Sequence, residues 1–473
     1  MIDINADIQD KLKHLKLIAK QIAKTDFIKQ RTRAVDYFRG RSRSNGNDIE
    51  IKGYTEDFLN SQTIKEVPIE NNNVTKRIIE RISLVNAVEP IREFYKGDNQ
   101  TDPPEKYIKA IKHKNEFMHL AEKYTNLLKL IGIKPHLNAD NIFEYDVLID
   151  FEPVFGDDPM KPIGVSYPLM TKGTVRDSTP ELWCYIDAED WVVYERQNNK
   201  PYKKYQIYDD MKNPYGELPV VWIFDERPEL SFMDIDPAND IIDMNLAVNV
   251  LGTAQNANAI YQGFGDRVIT GVDEKQVNKI KVGTNAITFL DEGSDYKVVT
   301  FPDVFQSLVE LTKYKQRSVA LNYHLPHGFI EDDAQPESGI AKKIRNQELQ
   351  DDRKSDIIRC RNTEEALYEI EKIIFDKDMK KKLPEKQVID YSETEEVLTP
   401  QEQREKDEWN LQHGFISDAE IYLRENPDVF ANIKDRDTKL EKIQTDVIDK
   451  NKAMQKTTPQ GGGLAALLQN NEE

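Results

Sequence analysis

Catalytic and cofactor signatures are what this chain has least of. In 473 residues there are two cysteines, Cys184 and Cys360. They form no CxxC pair and no framework of bridges, so they read as two separate reduced thiols. The seven histidines are scattered and none falls in an HExxH pattern, so there is no metal signature. No GxxxxGK[ST] loop occurs to cradle a phosphate, so the chain is not itself an ATPase motor. GxSxG and a convincing Cys–His pairing are missing too. Carboxylates are plentiful, but a two-metal site needs them gathered around ions about 4 Å apart, which abundance does not show. The expectation is a protein that is not an enzyme and carries no cofactor.

Apolar residues are also scarce, at 38% of the chain against 32% charged. A single chain so poor in core-formers suits an elongated subunit that buries surface against copies of itself. Excess positive charge is absent as well. The net charge is −19, whereas a protein that grips nucleic acid through its phosphates is usually basic. Tight DNA binding is therefore not expected; a channel through which DNA slides fits the sign, as does any acidic cytosolic protein. The start, MIDINADIQDKLKHL, lacks the apolar core of a signal peptide. The uncharged run from Met244 to Gly265 invites a membrane reading, but its amides Asn245, Asn249, Gln255, Asn256, Asn258 and Gln262 argue against a spanning helix.

In chain order, Ile8, Leu12, Leu15, Ile18 and Ile22 predict a helix over 6–23. FIKQRTRAVDYFRGRSRS follows, with arginines 31, 33, 39, 41 and 43 around Tyr37 and Phe38. Basic and aromatic residues together suit nucleic acid. The favoured reading is structural, a helix ending at Gly40 with basic residues in its last turn. Residues 44–73 read as loop, 74–85 as a helix, and 103–133 as one amphipathic helix opened by Pro104 and closed by Gly132. From Asn141 to Phe224 the period changes to two, and DVLIDFEPVF, ELWCYIDAEDWVVYER, KKYQIYDD and ELPVVWIF predict a small, mostly antiparallel β region. Residues 234–265 are helical by pattern, with Asn245, Asn249, Gly252 and Asn256 on one stripe that suits close helix contacts. A strand ending at Gly271, a short helix near 273–280, and strands AITFL and YKVVTF follow. QVIDY predicts a further strand, Thr399-Pro400 opens a helix, and Ser417 with Glu420 suits a capping box. The end, KAMQKTTPQGGGLAALLQNNEE, is low in complexity and expected to be disordered.

The chain is organised around residues 301–375. Asp303 is a candidate N-cap, with Gln306 as capping-box partner, for a helix to Asn322. Val304, Leu308 and Leu311 form one stripe; Gln306, Glu310, Lys313 and Arg317 form another. Pro326, Gly328 and Pro336 bound a loop. From Ser338 a second helix runs free of Pro and Gly from Ile340 to Leu383; roughly 38 residues of it would span about 57 Å. A helix, a short loop and PESGIAKKIRNQEL opening a long charged helix resembles the core of the tailed-phage portal proteins, the head-to-tail connectors of siphophage type. NPYGELPVVWI resembles the turn-strand that closes the portal wing, and Gly414-Phe415-Ile416-Ser417 followed by a short helix resembles the portal crown. The resemblance covers roughly 30–450, carried by the order of segments rather than by any one motif.

The resemblance implies an α+β, mainly α, ring-forming subunit. Its wing would be 1–230, first stem helix 231–265, clip 266–301, second stem helix 302–325 and tunnel loop 326–337. The long helix and return to the wing would be 338–398, crown helices 399–454 and the tail 455–473. It further implies a ring, usually of twelve copies, at one capsid vertex of the virion, assembled in the host cytoplasm. Double-stranded DNA would pass through it without sequence preference. Partners would be the large terminase, the major capsid and scaffolding proteins, and a head–tail adaptor. The tunnel loop would place His327, Phe329, Ile330, Glu331, Asp332, Asp333 and Glu337 in the channel. Lys313 and Arg317 of the stem and Lys275, Lys279 and Lys281 of the clip would be the candidate phosphate contacts. Departures are an acidic channel element and a short crown. The competing readings are a cytosolic helical scaffold or adaptor without a DNA channel, and a hydrolase with an unrecognised site.

Overall fold

The computed structural model describes residues 7–22, 25–40, 50–51, 53–54, 67–169, 181–197, 204–264, 266–270, 295–299, 304–325, 339–391, 400–413, 416 and 421. It mixes helices with antiparallel sheets and divides into two units, 1–334 with 345–393, and 335–344 with 394–473. In the second unit the described helix is α9 (Pro400–Gln412), which begins at the expected proline; Gln403 donates to Asp407 at 2.9 Å within it. Ser417, Glu420 and the low-complexity end lie outside the described residues. Everything below concerns the first unit, apart from the opening turns of its longest helix.

Helix α1 (Ile8–Ile22) lays Leu12 and Leu15 on Val154, Trp183, Tyr185 and Tyr194 of a five-stranded antiparallel sheet. That sheet runs in order β5 (Glu152–Phe155), β6 (Pro162–Pro168), β7 (Glu181–Asp187), β8 (Asp190–Gln197) and β9 (Lys204–Lys212). Lys11 is buried and reaches Asp187 at 2.8 Å and also Asp190, which is held in turn by Lys212 at 2.6 Å. Burial alone would lower the Lys11 pKa; the hydrogen bonds to Asp187 and Asp190 outweigh it and raise it. This pairing fixes where α1 docks, since an unpaired charge there would be costly.

Helix α2 (Phe27–Arg39) ends at Gly40 in the left-handed region, φ 62°, as its sequence predicts. The basic run around it is largely structural. Arg31 is fully buried and donates to the carbonyls of Leu128, Leu130 and Ile149 at 3.2, 2.6 and 2.8 Å. Burial pulls its pKa down to about 9, with Asp150 opposing. Arg33 holds Glu50 and Asp243, and Arg39 donates to the Tyr124 hydroxyl at 2.6 Å. Arg41 and Arg43 lie outside the described residues. Glu50 and Ile51 are helical rather than loop.

Helix α3 (Val74–Ile82) stops earlier than expected and is followed by a 3-10 turn at Val85–Ala87. The buried Glu122 carboxylate accepts from the Val85 and Asn86 N–H groups at 2.9 Å each and holds that turn.

The single helix expected over 103–133 is three elements: α4 (Glu105–Ala110), α5 (Lys114–Leu128) and strand β3 (Leu130–Leu137). The break is at Lys129, left-handed at φ 60°. A lysine tolerates that conformation here because its ends are pinned. Its N–H donates to Thr125 O at 2.7 Å, its carbonyl accepts from Asp225 N at 2.9 Å, and its Nζ reaches Asp225 at 2.5 Å. Gly132 caps nothing. It faces Trp222 across the sheet, where a Cβ would come within 2.8 Å of the indole. That sheet has the order β10 (Val221–Phe224), β3, β4 (Phe143–Leu148).

A third sheet, β13 (Lys386–Asp390), β1 (Ile91–Lys96) and β2 (Asn99–Gln100), returns the end of the unit to its beginning. The main core gathers Ala34 and Phe38 of α2, Ile78 and Ile79 of α3, and Leu127 and Leu128 of α5 with Ile131, Ile223, Ile241 and Leu367. Both cysteines are buried and unbridged.

Candidate functional site

Of the residues expected in a channel, Lys313 and Arg317 lie on a described helix. Helix α6 (Asn239–Phe264) and helix α7 (Phe305–Asn322) pack on one another, and between them strands β11 (Asp266–Thr270) and β12 (Asp295–Val299) pair antiparallel. Helix α8 (Gly339–Met379) follows with 41 residues, about 60 Å of helix. It ends at Met379 rather than Leu383. Lys380 turns left-handed at φ 51°, and the Tyr368 hydroxyl donates to the Pro384 carbonyl at 2.9 Å, folding the chain back toward β13.

The amide stripe of α6 has a partner within the chain. Asn245 Oδ1 accepts from Val74 N at 2.6 Å and Thr75 N at 3.1 Å, and Asn249 Oδ1 accepts from Asn72 N at 2.7 Å. Thr253 accepts from Glu70 N at 3.0 Å, and Asn256 donates to Pro68 O at 3.1 Å. Gly252 sits where a Cβ would lie 2.6 Å from the Glu70 side chain. The stripe is thus a seat for the chain from 68 to 73 and for the first turn of α3. Its Asn245 end serves the first donors of α3, which no helix can satisfy internally. By sequence the stripe suits close contacts between helices, crowded among neighbouring subunits; within one chain the neighbour that these amides serve is its own backbone.

Helix α7 is seated against α6 through Gln255, which donates to Thr312 at 3.2 Å, and through the Tyr323 hydroxyl, which donates to Asp240 at 2.8 Å. Its N-cap is Val304 with no side-chain cap; Gln306 reaches forward to Glu310 at 3.1 Å instead of back, and Asp303 lies outside the described residues. Lys313 and Arg317 share one exposed stripe with Gln306 and Glu310. On the adjoining stripe Val304, Leu311, Tyr314 and Leu321 are 41–68% exposed. The expected loop residues His327, Phe329, Ile330, Glu331, Asp332, Asp333 and Glu337, and the lysines expected in a clip, Lys275, Lys279 and Lys281, lie outside the described residues.

Where α7 meets α8, a polar cavity of about 290 Å³ opens beside Lys129, Asp225, His324, Asp352 and Asp356. Arg359 ties together three residues of its lining. It bonds Asp225, reaches Asn126 at 3.0 Å, and pairs with Asp356 at 3.1 Å. His324 contacts Asp352 at 2.5 Å. Burial pushes the Asp356 carboxyl up to about 6; Arg359 opposes this, while Asp225, Glu122 and Asp352 add to it. A carboxyl raised in the folded state binds its proton more tightly folded than unfolded. Stability is therefore expected to fall as pH rises from about 4, the unfolded range, to about 6. Asp356→Asn is expected to remove that step, giving a higher urea midpoint than the parent at pH 7.5 and an unchanged one at pH 4. Parallel denaturation curves at the two pH values check it.

Sequence reasoning placed the α7 residues on their helix but missed this junction. Its members come from positions 126–129, 225, 322–324 and 352–359, which no local pattern joins. Among the described residues there is no group of His, Cys, Asp or Glu able to hold a metal ion, and no helix is long and apolar enough to cross a membrane.

No family model matches the chain, and no curated protein matches it. Among solved structures it is similar to a chain in the neck of an empty GTA particle computed with C6 symmetry. That match has 14% identity and a TM-score of 0.39, covering 77% of this chain and 93% of that one. It is similar also to a chain of the virion of a native gene transfer agent particle, at 13% identity and TM-score 0.38, covering 76% and 92%. A chain in the native GTA neck computed with C12 symmetry gives 14% and 0.36, with the same coverage. Likeness this loose fixes neither fold nor role.

Proposed function

We propose that the chain is a phage portal protein, a non-enzymatic subunit of a ring of about twelve copies at one capsid vertex. The ring would conduct double-stranded DNA inward during packaging and outward during ejection. It would dock the large terminase and later a head–tail adaptor. The observation that carries this reading is α7. It follows α6 through the β11–β12 pair and precedes the long helix α8, the order of stem, clip, stem and long helix in portals. It also leaves Val304, Leu311, Tyr314 and Leu321 uncovered along one stripe. An apolar stripe beside a charged one on a helix packed on one side only is a surface that a neighbouring copy would cover.

In this reading α7 and the loop 326–337 line the channel. Glu331, Asp332, Asp333 and Glu337 are unrelieved by lysine or arginine in that loop. Repeated around a ring they make an acidic collar, which repels phosphate at close range and is screened beyond about 8–10 Å at physiological salt. DNA would slide rather than bind. Lys313 and Arg317 then make weak, salt-sensitive phosphate contacts. Lys313→Ala or Arg317→Ala is expected to leave the ring intact and change the DNA packaging rate in a terminase-driven assay. Loss of assembly in either variant would place these side chains in a subunit contact instead. Sedimentation of the purified protein tests the reading as a whole. A species of several hundred kilodaltons supports it, and a monomer at micromolar concentration in every salt opposes it.

A further inference from the structure

Gln387 on β13 is 2% exposed, and neither the nitrogen nor the oxygen of its carboxamide has a hydrogen-bond partner. Alternation along the strand puts Gln387 on the same side as Ile389, which packs against Cys360 of α8. Beside Gln387 opens a groove of about 390 Å³. Its walls are Asn362, Glu365, Ala366 and Glu369, one stripe of α8, with Lys386 from the strand. Neighbouring polar groups are already engaged. Arg361 donates to Ile389 O at 3.1 Å, and Lys372 reaches Glu369 and the Glu385 carbonyl at 2.8 Å each.

A primary amide needs one donor and one acceptor, the pair that a peptide unit or a second carboxamide presents. Glu369 is paired with Lys372, and Glu365 and Lys386 give the lining one further charge of each sign, so a strongly charged ligand gains little there. The sheet order makes β13 one edge and β2 the other. At that far edge Asn99 and Gln100 are both exposed. The face of β13 toward α8 thus holds an unpartnered carboxamide while exposed carboxamides lie at the far edge, two different patches, as a head-to-tail contact between identical chains requires.

We infer that the groove between α8 and β13 receives the Asn99–Gln100 edge of a second copy of this chain, amide against amide at Gln387. The inference rests on the ring-forming reading, because a head-to-tail contact is what closes a ring. Three variants test it in the full-length protein. Gln387→Leu removes an unpartnered buried amide, so the dilute monomer is expected to melt at a higher temperature while the assembled fraction falls at least tenfold. Ala366→Arg, at a position exposed in the single chain, fills the groove and is expected to weaken assembly equally with unchanged melting. Asn99→Cys mixed with Lys386→Cys is expected to give an interchain disulfide under mild oxidation. If both groove variants form rings as the parent does and no disulfide appears, the groove is not an interface, although the ring reading stands. If the parent itself never assembles, both fall together.

Discussion

Glu364→Ala is expected to destabilise the first unit by about 3–5 kcal/mol, because it strands buried cations. Glu364 has no exposed surface and takes Arg92 in a two-pronged bond, 2.7 Å from Nε and 2.6 Å from Nη2. Lys114, also fully buried, lies 3.9 Å away and pairs with Glu371 at 3.0 Å. Glu371 in turn accepts from the hydroxyls of Tyr107 and Tyr145 at 2.5 and 2.7 Å. The Tyr107 ring packs edge-on with Phe94, Phe143, Tyr368 and Phe375, at centroid distances of 6.0, 6.3, 6.0 and 5.6 Å. The ion network thus ties α8 to β1, α4, α5 and β4 from inside an aromatic cluster, where water cannot replace a lost partner. Burial would raise the Glu364 pKa, but Lys114 and Arg92 outweigh it and the net shift is downward. Its contribution is then complete above the ordinary glutamate value of 4.5 and is lost as pH falls through the lower folded value. Urea denaturation at pH 7 measures the effect. Glu364→Gln, which keeps an acceptor for Arg92, is expected to lose less than the alanine variant and to flatten the acid limb.

The second large effect is expected at Asn245. Its side-chain oxygen accepts two backbone N–H groups at the start of α3, and each would be left unsatisfied in a buried place by Asn245→Leu. At about 1–3 kcal/mol for each stranded buried donor, the pair predicts a loss of about 2–6 kcal/mol. Asn245→Asp keeps the acceptor and puts negative charge at a helix N-terminus, where it is favoured, so it should retain most of the parent's stability. Hydrogen exchange at Val74 and Thr75 separates this from a general packing defect. Those amides should exchange faster in the leucine variant than the core amides of α5 do.

These two sites show which features of the fold are legible in a linear sequence. Gly40 ends α2 because glycine tolerates a left-handed residue, and that rule is local. Pro400 opens α9 for an equally local reason. The period of two between Asn141 and Phe224 is visible because each strand repeats it, and it becomes β4–β10. Lys129 was not legible as a helix stop. Its left-handed backbone is held by Asp225, which lies 96 residues away. Gly132 misled for the same reason, since what requires glycine there is the Trp222 ring across the sheet. The amides of α6 announced a need for partners without naming them; the partners lie some 170 to 190 residues earlier. Of the candidate channel residues, the stripe holding Lys313 and Arg317 follows from helical period alone, and both are exposed there. The acidic junction of Asp225, Asp352 and Asp356 has no sequence signal, because it exists only where α7 and α8 meet.

The most direct measurement is a reconstruction of the purified full-length protein by electron microscopy, with the channel radius profiled along the symmetry axis. The portal reading predicts closed rings in which the stripe of Val304, Leu311, Tyr314 and Leu321 is covered by a neighbouring copy. The narrowest radius should fall at residues 326–337. Rings narrowest far from that loop would contradict the tunnel-loop assignment and the division of stem from long helix, and particles that remain single chains under every salt condition would contradict the portal itself.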